Sequence, residues 1–145
     1  MKSDFGRHID HTLLRPIGTT TDIRRLCTEA IEDEMHYLTA KARTLGVHTK
    51  FIIETAYLTD DEKVRACRIA NRVKPDFMKT STGYGPSGAT VEDVRMMRSN
   101  LLPEIQIKAA GGIRSHAEAL QLLQAGASRL GTSSGIKIIE EAGKP

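Results

Sequence analysis

Short apolar runs alternate along this chain with longer segments in which apolar residues recur every three or four positions. The runs have the length of buried strands, and the longer segments have the spacing of amphipathic helices. The apolar runs predict strands at residues 7–14, 51–53, 77–78, 105–109 and 128–131. Because each predicted strand is followed by a predicted helix, the pattern is typical of a parallel β/α fold with short right-handed crossovers.

The starts of the predicted helices carry side chains that can accept hydrogen bonds from the free amides of a first turn. Thr59-Asp-Asp-Glu62 and Ser115-His-Ala-Glu118 have the form of capping boxes, and Thr90-Val-Glu-Asp93 starts another helix. The segment from Thr19 to Leu45 is predicted as a single helix ending before Gly46. At about 25 residues it exceeds the usual range of roughly 8–20, which makes it the irregular part of the chain.

Composition limits the classes of partner. The 145 residues fit one domain, and the net charge of +3 is spread along the chain without a basic block, so we expect no nucleic-acid partner. No apolar stretch approaches the roughly 20 residues that span a bilayer, so we expect no membrane partner. The first residues lack the apolar core of a signal peptide, so the expected location is cytoplasmic. Cys27 and Cys67 lie in helical patterns and are not spaced as a metal pair.

Two lysines lie where predicted strands end. Lys79 precedes Thr-Ser-Thr-Gly83, Lys108 precedes Ala-Ala-Gly-Gly112, and a third strand ends in Gly131-Thr-Ser-Ser-Gly135. A single lysine at a strand end is usually a surface group whose stem packs on apolar neighbours. Two in matching positions are costly unless function keeps them there, and glycine and serine amides at a helix start can bind phosphate. The pattern indicates amine-based covalent chemistry on a small phosphorylated carbonyl compound.

Several segments occur in the order found in a known family and cover nearly the whole chain except about residues 35–45. They are Ile9-Asp-His-Thr-Leu-Leu14, Phe51-Ile-Ile-Glu-Thr55, Leu58-Thr-Asp-Asp-Glu-Lys-Val-Arg-Ala-Cys67, Lys79-Thr-Ser-Thr-Gly83, Gly88-Ala-Thr-Val-Glu-Asp-Val-Arg95, Lys108-Ala-Ala-Gly-Gly-Ile-Arg114 and Gly131-Thr-Ser-Ser-Gly135. With these segments the chain resembles class I deoxyribose-phosphate aldolases, which are (β/α)8-barrel enzymes. The resemblance implies a TIM-barrel-derived fold.

The resemblance also implies a reaction, the reversible cleavage of 2-deoxy-D-ribose 5-phosphate to D-glyceraldehyde 3-phosphate and acetaldehyde, with no metal and no other cofactor. By motif matching, Lys79 is the Schiff-base lysine, Lys108 is the second amine and part of the proton relay, and Asp10 is the catalytic carboxylate of the first strand. An amine must be neutral to attack a carbonyl, and the ordinary lysine pKa is about 10.4. We expect burial and the Lys108 ammonium to favour neutral Lys79.

The substrate-binding residues follow from the same matching. Thr12 is expected to hydrogen-bond a substrate hydroxyl, and Arg114 either adds positive charge for the phosphate or marks a solvated helix start. Glu54 ends a strand inside the expected cavity and is either catalytic or held by structural hydrogen bonds, with the structural role favoured. Tyr84 either touches substrate or only packs. The phosphate is expected on the backbone around Gly83, Gly111, Gly112, Ser133 and Ser134.

The chain is too short for the complete fold of this family. Closed (β/α)8 barrels need about 250 residues and at least about 200, whereas five predicted strand-helix units are present. The resemblance implies an internal deletion of about three units between Glu34 and about Lys41, with the junction near residues 34–45 of a single domain, 1–145. The missing block contains an aspartate of the family's proton relay. An incomplete or open barrel exposes strand edges, so we expect a homo-oligomer.

Other functions remain open at this point. The missing aspartate favours a catalytically impaired remnant or isoform that binds a sugar phosphate or a protein partner without turnover. Another phosphate-binding barrel enzyme, such as a sugar-phosphate isomerase, would need no paired lysines and is the weaker alternative. His8 and His11 would point to opposite faces of a strand, so we expect no metal site there.

Overall fold

The computed structural model describes residues 20–143, and side chains from residue 28 onward. The predicted strand at residues 7–14, with Asp10 and Thr12, lies outside the described residues. The elements in chain order are α1 (Thr20–Thr44), β1 (Lys50–Ile52), a 3₁₀ turn (Thr55–Tyr57), α2 (Asp60–Val73), β2 (Phe77–Lys79), α3 (Val91–Asn100), β3 (Gln106–Ala110), α4 (His116–Gln124), β4 (Arg129–Gly131) and α5 (Gly135–Ala142).

Within residues 20–143 the strands form one four-stranded sheet in the order β1-β2-β3-β4. All neighbouring pairs are parallel. Each strand is followed by a helix, as the sequence predicts, and the carboxyl ends of the strands therefore lie along one edge of the sheet. The described strands do not close into a barrel, since β1 and β4 are the two outer strands. The predicted parallel, incomplete-barrel β/α fold is confirmed.

The predicted helix starts are confirmed at the level of hydrogen bonds. Thr59 and Glu62 exchange the two bonds of a capping box at the start of α2, and Ser115 and Glu118 do the same at the start of α4. The Thr90 hydroxyl accepts from the Asp93 amide at the start of α3. These local bonds fix where each helix begins after its strand and loop.

The core lies between the sheet and α2 and α3. Met78 of β2 and Ile107 of β3 are fully buried against Met97 and Val94 of α3 and Cys67 of α2. Burial raises the pKa of the Cys67 thiol to about 11. The thiolate form is therefore scarce at neutral pH, and Cys67 acts as a small buried apolar residue.

The long helix α1 is continuous across the predicted junction from residue 34 to its end at Thr44. It packs on α2 through an ion pair in which Arg72 donates two 2.6 Å hydrogen bonds to Glu32. Met35 and Thr39, one turn apart, are its buried positions within residues 28–44. The predicted helix is confirmed, and it ends at Thr44, shortly before Gly46 as predicted; Gly46 has φ +65°. No helix in the described part of the chain, α1 included, has the length and apolar character to span a bilayer.

Candidate active site

Lys79 and Lys108 are direct partners in the parallel pairing of β2 with β3. Residues in register on adjacent strands point to the same face of a sheet, about 4.8 Å apart at the backbone. The Lys79 carbonyl accepts from the Ile53 amide, and the Lys108 carbonyl accepts from the Thr80 amide, both at 3.1 Å. The two lysines that the sequence singles out are therefore brought together on one face.

A third cation lies in the same row. Arg129 of β4 is the register partner of Lys108, and its guanidinium stacks over the Phe77 ring at 4.4 Å. Burial lowers the pKa of Lys108, and the positive charges of Lys50, Lys79 and Arg129 lower it further. Sequence reasoning predicted two interacting cations and missed Arg129, because its place beside Lys108 depends on the register of β3 with β4.

A cavity of about 410 Å³ opens beside Lys79, at the carboxyl ends of β2, β3 and β4. Its lining includes six residues predicted from the sequence for catalysis or substrate binding: Lys79, Gly83, Gly111, Gly112, Arg114 and Ser133. The other lining residues are Thr82, Tyr84, Ala110, Ile113, Gly131 and Thr132. Lys108 and Ser134 are adjacent to this lining without being part of it.

Glycine residues form part of the cavity wall. Gly83, Gly111 and Gly112 have φ of +102°, +88° and +77°, values that residues with side chains rarely adopt. A Cβ atom at Gly88 would overlap the carbonyl group of Gly111, so Gly88 is needed for contact between the two loops. Gly88 was in the matched segments but not among the predicted site residues.

The segment after Lys79 is hydrogen-bonded to the end of β3. The Thr80 hydroxyl accepts from the Ala110 amide at 3.2 Å. Thr80 and Ser81 are fully buried, so this part of the loop is fixed inside the molecule. Tyr84, by contrast, lines the cavity and is 98% exposed, so it packs little against the described residues, and its contact with substrate stays a prediction.

The start of α5 completes the cavity on the side of β4. The Thr132 hydroxyl donates to the Ile113 carbonyl at 2.6 Å and accepts from the Ser134 amide at 2.9 Å. This bond holds Ser133 and Ser134 in place immediately before the first turn of α5. The free amides and the positive dipole end of that turn are suited to an anion.

Arg114 lies on the rim of the cavity and is exposed. Its backbone amide donates to Glu118 at 2.7 Å, so the residue lies at the start of α4 and lines the cavity at the same time. Asp10 and Thr12 are outside the described residues, and their roles stay predictions. Within residues 20–143, no group of three or more His, Cys, Asp or Glu side chains is arranged to hold a metal ion.

Comparison with known proteins finds similar proteins among the deoxyribose-phosphate aldolases. The chain is 52% identical to "Deoxyribose-phosphate aldolase" of Thermococcus kodakarensis over 79% of this chain and 51% of the relative. Among solved structures it matches "QR15, an Aldolase" with a TM-score of 0.74 and 38% identity over 84% of this chain and 54% of that one. It matches the tetrameric deoxyribose phosphate aldolase of Aeropyrum pernix with a TM-score of 0.72 and 32% identity, over 78% and 49% of the two chains.

These matches cover a larger share of this chain than of its relatives. The chain spans about half the length of the curated relatives that it matches, although the matches cover most of its own length. No family model matches the chain.

Proposed function

Because this chain is homologous to the deoxyribose-phosphate aldolases over most of its own length, we propose that it is a shortened Schiff-base aldolase acting on 2-deoxy-D-ribose 5-phosphate. The observation that carries the proposal is the register pairing of Lys79 with Lys108 beside a glycine-lined cavity. A sugar-phosphate isomerase would give no reason for this pair. The proposal keeps the predicted cytoplasmic location and the absence of a metal or other cofactor.

In the proposed reaction the neutral Lys79 amine attacks the aldehyde carbon of the open-chain sugar and forms an imine with loss of water. The C3 hydroxyl gives its proton to the proton carrier, and the protonated imine accepts the electron pair of the breaking carbon–carbon bond. This step releases D-glyceraldehyde 3-phosphate and leaves an enamine. Protonation of the enamine carbon and hydrolysis then release acetaldehyde and restore Lys79. Lys108, whose pKa is lowered by burial and by neighbouring cations, is the proposed proton carrier together with Asp10.

The phosphate is proposed to bind at the opposite end of the cavity from Lys79. Gly83, Gly111 and Gly112 let the backbone approach the anion, and the amides around Ser133 and Ser134 precede the first turn of α5. Arg114, exposed on the rim, adds positive charge without occupying the cavity.

Borohydride trapping tests the covalent step. Incubation with acetaldehyde and borohydride is expected to add one ethyl group, located on Lys79 by peptide mass spectrometry. Lys79→Arg is expected to abolish this labelling, whereas Lys137→Arg, on the exposed surface of α5, is expected to retain it. A wild-type protein that remains unmodified would show that the site does not perform amine chemistry.

A second function is favoured by the length of the chain, which is about half that of its relatives. We propose as the alternative an impaired remnant that binds a sugar phosphate or a protein partner without turnover, because the relay aspartate expected from the resemblance is missing. A retro-aldol assay separates the two functions. A binder would be stabilised by 2-deoxyribose 5-phosphate in thermal melts and release no acetaldehyde, whereas an aldolase would release it.

The deletion is proposed to be joined within α1. The predicted junction at residues 34–45 falls in a helix that continues without a break to Thr44. Such a junction joins the helix of the first unit to the end of a later helix. The alternation of strands and helices is then kept, because β1 still follows a helix. The whole of 1–145 is then one domain with an open sheet.

The open sheet is the reason to propose self-association. An apolar groove of about 560 Å³ runs between α1, β1 and α2, and Ile31, Leu38 and Ile52 are 51%, 42% and 44% exposed along it. Among the described residues β1 is an outer strand, and it borders this groove. Such an edge is a site for pairing with another chain, and we propose that a second copy covers it.

Light scattering tests this proposal. The wild-type chain is expected to form dimers or larger assemblies, and Ile52→Lys on the outer strand β1 is expected to shift them toward the monomer. Leu123→Lys, on the exposed surface of α4, is the matched control and is expected to leave the assembly unchanged. A single species with the mass of the monomer in the wild-type protein would contradict self-association.

A further inference from the structure

Glu54 has a backbone conformation that its position in the chain does not explain. It lies two residues after the end of β1, immediately before the 3₁₀ turn, and has φ 50° and ψ 69°, in the left-handed region that residues with a Cβ atom rarely adopt. Among the described non-glycine residues, the other one with positive φ is Lys74, which ends α2. A left-handed residue is common at a helix end, whereas at the end of a strand it indicates a conformation imposed by its surroundings.

The side chain of Glu54 points into the loop that follows Lys79. Its Oε2 accepts hydrogen bonds from the Thr82 amide at 2.9 Å and from the Thr82 hydroxyl at 2.5 Å. The same hydroxyl accepts from the Tyr84 amide at 3.1 Å. The Glu54 carboxylate therefore fixes the turn that carries Gly83 and Tyr84 along the cavity wall.

The second carboxylate oxygen is enclosed as well. Oε1 of Glu54 is buried and has no hydrogen-bond partner among the described residues. A Cβ atom at Gly85 would lie 2.9 Å from it, so the loop wraps around the carboxylate without room for a side chain. A buried polar atom left without a partner costs free energy, and such atoms persist where the arrangement serves another purpose.

The neighbours of Glu54 hold the same loop at other points. The Ile53 amide donates to the Lys79 carbonyl at 3.1 Å, and the Thr55 amide donates to the Thr80 carbonyl at 2.9 Å. Three consecutive residues at the end of β1 thus hold Lys79, Thr80 and Thr82. The left-handed turn at Glu54 lets its side chain reach the loop while the backbone on both sides stays bonded to it.

We propose that Glu54 is a positioning residue that fixes the loop of residues 82–85 and thereby aims the Lys79 amine into the cavity. The proposal rests on the proposed Schiff-base function of Lys79, three residues before Thr82. It assigns the carboxylate a part in orienting the nucleophile without contact with the substrate. What matters is an oxygen that accepts from Thr82, so glutamine is expected to replace glutamate and alanine is not.

The experiment uses the full chain and measures the rate of borohydride trapping at Lys79 across acetaldehyde concentrations. Glu54→Ala and Glu54→Gly are expected to lower the maximal rate by about 10- to 100-fold, because misplacement of a reacting group by about 1 Å has effects of that size. Glu54→Gln is expected to retain a rate close to that of the wild-type protein. The control Glu32→Ala removes a carboxylate that also accepts two hydrogen bonds, but from Arg72 outside the site, and should not change the rate.

Glu54→Gly separates positioning from simple stabilisation. Glycine removes the unfavourable left-handed conformation together with the acceptor, so thermal stability is expected to fall less than in Glu54→Ala, while both variants trap slowly. Lys74→Gly, which relieves the same conformation at the end of α2, controls for the backbone effect and should trap at the wild-type rate. Trapping by folded Glu54→Ala at the wild-type rate, or trapping rates that follow stability across the Glu54 variants, would overturn the proposal.

A second measurement keeps the inference separate from the proposed function. In ¹H–¹⁵N NMR spectra, Glu54→Ala is expected to shift or broaden the amide signals of Thr82, Gly83 and Tyr84, whereas Glu32→Ala leaves them unchanged. If the wild-type protein forms no adduct, the proposed function fails, and unchanged loop signals in Glu54→Ala would then also refute the positioning role. Shifted loop signals would support the role of Glu54 in fixing the loop even in that case.

Discussion

The Lys108 side chain lies directly over Gly131 of the neighbouring strand β4. A Cβ atom built on Gly131 would lie 2.9 Å from Cε of Lys108 and 3.5 Å from its Nζ. The lack of a side chain at residue 131 therefore gives the Lys108 amine the space that it occupies. The small residue that ends β4 is part of the geometry of the lysine pair.

Gly131→Ala is expected to displace the Lys108 amine and lower the rate of trapping at Lys79 by about tenfold or more. The new methyl group would also lie 2.9 Å from the Cβ atom of Ala110, so a loss of about 1–3 kcal/mol in the free energy of unfolding is expected. Borohydride trapping at Lys79 measures the first effect, and denaturant unfolding measures the second. Gly143→Ala is the control, since its Cβ atom would meet only ordinary contacts at 3.9 Å. Wild-type trapping by Gly131→Ala would contradict this account.

Lys108→Met is expected to stabilise the fold at neutral pH while it abolishes the proposed retro-aldol turnover. The pKa of Lys108 is lowered in the folded protein, first by burial and then by the neighbouring cations. The unfolded chain, with a lysine pKa of about 10.4, therefore binds more protons in the range between the two pKa values, and stability rises with pH there. Below that range Lys108 is charged in both states, and its charge lowers the stability of the folded state by the full amount. Methionine carries no charge and removes this destabilisation.

The stability difference between Lys108→Met and the wild-type protein is thus expected to be largest at pH 7 and to shrink as the pH approaches 10.4. Denaturant unfolding at pH 7 and pH 10 measures it. Lys41→Met, in the exposed last turn of α1, corrects for the loss of a lysine elsewhere. A difference that grows with pH would contradict the assigned cause.

The hydrogen bonds between residues close together in the chain are the part of this structure that the sequence predicts directly. Thr59 with Glu62 and Ser115 with Glu118 are three residues apart, so their spacing alone predicts the bonds that start two helices. The meeting of Lys79 and Lys108 is less local, but it follows from parallel strands that end at similar points. The continuous α1 was likewise predicted from helical spacing, together with its end shortly before Gly46.

Contacts between residues far apart in the chain could not be predicted from the sequence. Arg129 joins the two lysines through the register of β3 with β4, and neither its place nor its stacking on Phe77 has a local signal. Glu54 was expected inside the cavity with two alternative roles, catalytic or structural, because the sequence does not show which groups its carboxylate contacts. Its left-handed backbone, which decides the direction, depends on a loop 28 residues away.

Gly88→Ala is expected to disrupt the cavity by steric overlap, and not through the backbone conformation of residue 88. The added methyl group would overlap the Gly111 carbonyl, which is backbone and cannot turn away as a flexible side chain can. The Ala89 amide donates to the carbonyls of both Ala110 and Gly111 at 3.1 Å, so the two loops would have to separate. We expect a loss of about 1–3 kcal/mol in the free energy of unfolding.

The same substitution is expected to weaken the proposed phosphate binding, because Gly111 and Gly112 line the cavity. The shift in melting temperature caused by 2-deoxyribose 5-phosphate measures this effect, with Gly143→Ala as the control. An unchanged ligand-induced shift in Gly88→Ala would mean that the contact between the loops does not shape the anion site.

Asp76 links the starts of β1 and β2, and Asp76→Asn is expected to lower stability in a pH-dependent way. The Thr49 amide and His48 Nδ1 each lie 2.8 Å from its carboxylate, and the Thr49 bond is the main reason that the pKa of Asp76 is lowered to about 2. The carboxylate is 38% exposed, so we expect a loss of about 1–2 kcal/mol at pH 7.

The sign of the pH dependence follows from the lowered pKa. An unfolded aspartate has a pKa of about 3.9, so the stabilisation by Asp76 is complete well above that value and is lost as the pH falls from about 4 to about 2. The difference between wild-type and Asp76→Asn in urea unfolding is therefore expected to narrow over this interval. Asp33→Asn, exposed on α1, is the control. A difference that stays constant from pH 7 to pH 2 would show that the charge of Asp76 does not stabilise the start of the sheet.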